Sequence, residues 1–210
     1  LSAYGLGWFL SDVRGYKQVT HTGGLAGMVT QAVMFPELNL GIIVFTNQQS
    51  GAAFNAISRT IQDSYLGVKG YDWVKIMHDR VTAGEAEAKK IGDEVEKDMQ
   101  AQLAKAGGKF NFQPYYGIYR DAWLGDIEIS NKNGKAWLVA KRSPKLNGEV
   151  LPYKGNTLIV RWTDRSMDAD AYLMFSTDMN GTPSGLTMKA ISPLTDFSFD
   201  FHDLDLKRIQ

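Results

Sequence analysis

The stretch "VTHTGGLAGMVTQAVMFPELNLGIIVFTN", residues 19–47, sets His21 beside Thr22, Gly23 and Gly24, with Gly27 four residues beyond Gly23. These residue types could do chemistry together. Glycines without a Cβ let a substrate lie against a strand, and an exposed main-chain N–H there can stabilise an oxyanion. The histidine and threonine add a proton donor and a hydroxyl. The plainer reading of the same residues is the polar end of an ordinary strand entering a hairpin.

Other chemistry is thinly represented. His78 and His202 lie far from His21 and from each other, with no H-x-x-x-H or paired-carboxylate spacing, so the sequence indicates no metal site and no cofactor. The "GLAG" glycines make no phosphate loop, because no lysine or serine/threonine follows in register. The chain has no cysteine, which excludes disulfides and thiolate nucleophiles. Lysine plus arginine equals aspartate plus glutamate at 23 each, so no net field favours nucleic acid or an anionic surface. The five tryptophans then read as packing residues rather than a stacking platform for bases. No apolar run is long enough to span a bilayer, and the opening "LSAYGLGWFL" has neither an initiator Met nor the charged start of a signal peptide. It reads as the inside of a fold, so the chain is expected to be a fragment.

The elements that would hold the His-Thr-Gly run are legible around it. "YGLGWFLSD" and "YKQVTHTGG" flank a turn at Val13, Arg14 and Gly15, and "GMVTQAVMF" and "LGIIVFTN" flank Pro36, Glu37 and Asn39, which predicts an antiparallel meander. Beyond Ser50 and Gly51, residues Phe54, Ile57, Ile61 and Tyr65 recur at helical spacing until Gly67, predicting an amphipathic helix packed on that sheet. Residues 1–70 contain only seven charged residues, too few for a free surface of that length, so much of the segment is expected to be covered.

Composition then changes. Between Asp72 and Gly108, 14 of 37 residues are charged, with both signs mixed, which reads as a helical linker. Asp72 would cap a first helix carrying Trp73, Met77 and Val81. A second helix would carry Ile91, Val95, Met99 and Leu103, with Glu85–Lys89 and Asp93–Lys97 pairs, and would end at Gly107 and Gly108. From Phe110 onward eight short runs separated by turn residues such as Asn133-Gly134, Gly155-Asn156 and Asn180-Gly181 predict a closed, autonomous barrel. In the last run, Phe197, Phe199 and Phe201 differ in parity from Leu204 and Leu206, so a bulge near His202 or Asp203 is expected. The fold class is therefore α+β: a sheet with a helix over 1–70, a charged helical linker over 71–108, and an eight-stranded antiparallel barrel, lipocalin-like, over 109–210.

"YGLGWF", then "HTGG", then "MFPELNLGIIVFTN", about residues 3–66, resembles the C-terminal part of the catalytic domain of class C β-lactamase-like and penicillin-binding-protein-like serine hydrolases. Their third motif, K-T-G, is replaced by H-T-G or H-x-G in many D-Ala-D-Ala carboxypeptidase and esterase relatives. Residues 110–210 resemble the β-barrel domain of unknown function that often follows such hydrolases. The resemblance implies acyl-enzyme hydrolysis of an amide or ester in which His21 assists proton transfer or binds a substrate carboxylate. Thr22 would donate a hydroxyl to substrate, Gly23 would allow close approach, and Gly24 N–H would be an oxyanion donor. The family's nucleophile lies in an S-x-x-K motif assisted by Y-x-N or S-x-N, and neither occurs upstream of His21. This chain alone is thus expected to be inactive.

The resemblance also implies an extracytoplasmic protein acting on a small-molecule or peptide substrate. The competing expectation is a non-catalytic module in which the barrel recognises a ligand or partner. The charge-poor residues 1–70 are expected to self-associate, burying residues among Val29, Val33, Ile43 and Phe45.

Overall fold

In a computed structural model the structure describes residues 2–25 and 27–210; Leu1, and Ala26 within the "GLAG" run, lie outside the described residues. The chain divides into two compact units, residues 1–83 and 84–210.

The first unit holds a five-stranded antiparallel meander in the order β1-β2-β3-β4-β5. Its strands are β1 Ser2–Gly5, β2 Trp8–Val13, β3 Tyr16–Leu25, β4 Met28–Phe35 and β5 Leu40–Thr46. The run "YGLGWFLSD", read above as one strand, is a hairpin. Leu6 and Gly7 both take positive φ (53° and 81°), the two-residue turn whose twist matches antiparallel strands, and they pair Tyr4 with Phe9.

Helix α1, Gly51–Tyr65, packs on β4 and β5. Val33, Phe35, Leu40, Ile42, Val44 and Phe54 form the core there, with Val29 and Ile61 packed against it. The helix face differs from the expected stripe. Ser58 and Gln62 are buried, whereas Ile57 and Tyr65 are exposed. Ser58 Oγ lies within hydrogen-bond distance of Gln31 Oε1 and the Phe54 carbonyl, and Gln18 donates to Gln62, so a hydrogen-bonded layer satisfies polar groups in the position expected to be greasy. Val29 and Val33 serve this core and are not available to a partner. Ile43 and Phe45 point the other way on β5 and are 67% and 78% exposed.

One helix, α2 Trp73–Lys105, stands where two were expected, and the division between the units falls inside it. Asp72 Oδ1 accepts from Lys75 N–H and caps its start. Its end is a Schellman motif: Gly107 N–H bonds Ala104 O, and Gly108 N–H bonds Leu103 O. The i,i+4 ion pairs are Lys75–Asp79 and Lys89–Asp93, not the pairs anticipated from the sequence. In the second unit the helix is more than a spacer. Val95 and Met99 are buried against Ile159, with Leu151, Tyr153 and Tyr172 around them. Arg161 bonds Glu96 and Lys154 pairs with Asp98, which holds both carboxyls below their usual range; for Glu96, Gln100 contributes most and Arg161 adds to it.

The second unit is an eight-stranded closed barrel in which each strand pairs antiparallel with its chain neighbours. The strands are β6 Gly117–Asp121, β7 Gly125–Lys132, β8 Lys135–Ala140, β9 Asn147–Pro152, β10 Thr157–Trp162, β11 Ala171–Thr177, β12 Pro183–Ala190 and β13 Leu206–Arg208. Alternate residues face inward and fill the interior, including Tyr119, Ile127, Leu138, Leu158, Trp162 and Leu173. Instead of a long bulged last strand there is a one-turn 3-10 helix, Phe201–Asp203, before a three-residue β13. That turn buries Phe201 and Leu204 against the barrel core, with the Phe201 ring 6.1 Å from Trp162, and leaves Phe197 88% exposed. Phe110, Phe112 and Tyr115 pack on the same core, with Tyr115 edge-on to Phe175.

Candidate functional site

His21 is the sixth of ten residues of β3, so the strand continues through the glycines rather than ending at the histidine. It is half-buried, and its Cα partner on β4 is Ala32. Thr22 pairs with Gln31, Gly23 with Thr30 and Gly24 with Val29, and these three β3 residues are exposed. Thr20 Oγ1 donates to Ala32 O at 2.8 Å and so helps hold the strand beside the histidine.

The two glycines differ in surroundings. A Cβ on Gly23 would come within 2.9 Å of Thr30 Oγ1, whose hydroxyl donates to Gly23 O. Glycine therefore fits the close β3–β4 approach itself. A Cβ on Gly24 would meet only ordinary contacts, at 3.6 Å from Val29 and 3.7 Å from Met28 O. Beyond the strand, Gly27 N–H donates to Gln49 Oε1.

Sequence spacing did not reveal what surrounds the imidazole. The Phe9 ring stacks on it at 5.8 Å, Trp8 approaches edge-on at 6.5 Å, and Tyr4 lies 6.1 Å away with its hydroxyl 3.4 Å from Nε2. Tyr4 and Phe9 pack on each other at 4.6 Å. Aromatic residues from the β1–β2 hairpin thus wall one side of His21. The quoted "YGLGWF" contains all three, but only the pairing of β2 with β3 brings them to the histidine.

His78 lies on α2, and His202 lies on the exposed turn before β13. Asp200, His202 and Asp203 bring one ligand atom each within 4.8 Å of one another, a grouping the sequence reading passed over. It consists of near neighbours on one turn, of which His202 and Asp203 are exposed and Asp200 is half-buried.

Residues 1–66 match the family model for β-lactamase, and residues 105–208 match that of a domain of unknown function, DUF3471. The chain is thus similar to a β-lactamase segment followed by a DUF3471 domain. The β-lactamase-family segment contains all five strands of the sheet and α1, and His21 lies inside it. The DUF3471 domain contains the whole barrel, and the compact unit extends beyond it to Gly84 because α2 packs on the strands. No curated protein matches the chain. Among solved structures, the chain is similar to the crystal structure of SurE at 11% identity, covering 98% of this chain and 37% of that one, with a TM-score of 0.36. It is also similar to the octameric penicillin-binding protein homologue from Pyrococcus abyssi at 14% identity, covering 98% and 36%, with a TM-score of 0.31. The chain spans a little over a third of the length of these structures.

Proposed function

We propose that the protein carrying this chain is a serine hydrolase that forms an acyl-enzyme from an amide or ester, and that the β-lactamase-family segment supplies one wall of its active site. The observation that carries this reading is the His-Thr-Gly-Gly run laid along β3, with its three trailing residues exposed and its histidine held in an aromatic recess. His21 then assists proton transfer or meets a substrate carboxylate, Thr22 offers a hydroxyl, Gly23 permits close approach, and Gly24 N–H serves as an oxyanion donor. The nucleophile comes from elsewhere, since no S-x-x-K or Y-x-N motif occurs in these residues. The substrate is a small molecule or peptide, and the setting is extracytoplasmic.

A fluorophosphonate probe tests this reading. The 210-residue chain is expected to remain unlabelled, while a longer protein that contains an S-x-x-K serine is labelled. His21→Ala in that longer protein is expected to slow labelling by about 10²-fold, in the range for a positioned proton-transfer group. Undiminished labelling in the His21→Ala protein would remove His21 from the mechanism.

The other reading, a barrel that binds a ligand, would have to use the barrel's outer surface, because its interior is filled by side chains. For residues 1–70 we infer self-association. Strand β5 is an edge strand without a charged residue, and it exposes Ile43 and Phe45. Such an edge offers unpaired backbone groups to a second copy.

A further inference from the structure

We propose that Tyr4 is a positioning residue for His21, engaging the imidazole Nε2 so that Nδ1 is the nitrogen that faces substrate. This inference rests on the hydrolase reading given above for its consequence, but its physical content is a property of this chain alone.

An imidazole has two nitrogens with different roles in the neutral ring, one a donor and the other an acceptor, and the partner of one fixes the role of the other. Here the Tyr4 hydroxyl lies 3.4 Å from Nε2. If the phenol donates, Nε2 is the acceptor and Nδ1 carries the proton. If Nε2–H donates to the phenol oxygen, Nδ1 is left bare. The first arrangement is favoured, because a phenol O–H is a better donor than an imidazole N–H and an imidazole nitrogen a better acceptor than a phenol oxygen, so the contact with Tyr4 selects the Nδ1–H tautomer and leaves Nδ1 for substrate.

The rest of the recess restricts the ring itself. Phe9 is stacked on the imidazole with an interplanar angle of 20°, and Trp8 meets it edge-on at 83°, so rotation of the ring would break both contacts. Tyr4 is in turn set by the hairpin: it is the Cα partner of Phe9 across the Leu6–Gly7 turn, and the two rings pack together. A chain of local features therefore runs from a two-residue turn, through Tyr4, to the choice of nitrogen on a histidine 17 positions beyond that tyrosine.

Nitrogen-15 NMR of the neutral imidazole in the 210-residue chain tests this directly. The wild type is expected to give one nitrogen with a protonated shift and one with a bare shift. Tyr4→Phe keeps the ring against Phe9 and removes only the hydroxyl. In that variant the two nitrogen shifts are expected to move toward each other, as both tautomers become populated. Identical nitrogen shifts in wild type and Tyr4→Phe would overturn the proposal, and so would a bonded Nδ1 in the wild type. In the longer protein Tyr4→Phe is expected to slow acylation by roughly 3- to 10-fold, less than removal of the histidine itself. The two readings fail separately. Unchanged shifts alongside a large His21→Ala effect would sink the positioning role alone, and a locked tautomer alongside no His21→Ala effect would sink the hydrolase reading alone.

Discussion

The backbone oxygen of Arg161 on β10 lies where a side chain at Gly148 on β9 would begin: a Cβ built on Gly148 would be 2.2 Å from it. The two residues belong to strands paired at Gly148↔Trp162, so the clash falls on main chain, which cannot move aside as a flexible side chain can. Gly148→Ala is expected to destabilise the barrel unit by about 1–3 kcal/mol or more, since the strands must part to admit the methyl. Gly92, in α2, has open space around it, and Gly92→Ala is expected to stabilise by about 0.5–1 kcal/mol through helix propensity. Denaturant melts of both variants check the pair of opposite signs.

Removing the helix from the barrel should cost stability in proportion to the apolar contact it makes. Met99→Ala is expected to lower the stability of the second unit by about 2–5 kcal/mol, because Met99 is buried against Ile159. A chain starting at Gly84 should then melt well above one starting at Lys109, as monitored by circular dichroism. Equal melting of the two would place the helix outside the cooperative unit.

Two groups of ionisable residues set the pH limits of the second unit. Burial opposes ionisation of Asp121, but the N–H groups of Asp205, Leu124 and Trp123 bond its carboxylate and outweigh that, holding its carboxyl below the usual range. A lowered folded value means stability that is present above the unfolded value of about 4 and is lost as pH falls through the folded one. Asp121→Asn should therefore flatten the acid limb of the stability profile. At the other end, burial pushes the Tyr119 and Tyr172 hydroxyls up to about 12. A raised folded value means stability fully present below the unfolded value of about 10 and lost as pH rises toward 12. Tyr119→Phe is expected to shrink that alkaline loss while costing about 0.5–1.5 kcal/mol at neutral pH, where the hydroxyl's bond to Tyr115 O is lost.

Association through β5 should be concentration-dependent and abolished by charge. Sedimentation velocity at micromolar concentration is expected to find a dimer for the wild type and a monomer for Phe45→Lys, a substitution of the kind that protects natural edges. A wild type that stays monomeric across the concentration range would end the self-association proposal.

Much of this architecture could be read from local chemistry. Asp72 and the pair Gly107-Gly108 act at helix ends through their own backbone neighbours, so three or four residues suffice to recognise them. Alternation along the barrel strands is likewise local. What escaped depended on tertiary partners. Ser58 and Gln62 are buried because Gln31 and Gln18 await them on the sheet, and nothing in the helix alone signals that. The break at Leu6-Gly7 is hidden because a positive φ at Leu6 is rare and the run alternates like a strand. Of the candidate site, the His-Thr-Gly run was visible from residue types, whereas its aromatic surroundings come from strands that only pairing brings together.

The neighbour-to-neighbour order of the barrel also has a consequence for how it forms. Seven of its eight pairings join consecutive strands, which can assemble as hairpins with little loop entropy to overcome. The eighth, between β13 and β6, joins ends roughly 90 residues apart through Lys207↔Arg120 and Arg208↔Tyr119, extended by main-chain bonds between Ile118 and both Ile209 and Gln210. That seam spans the longest sequence separation in the ring, so it is expected to close last during folding. Arg208 latches it from one side, its guanidinium donating to the carbonyls of Pro114, Tyr116 and Pro183, so a single side chain ties the last-formed seam to both the segment before β6 and the start of β12.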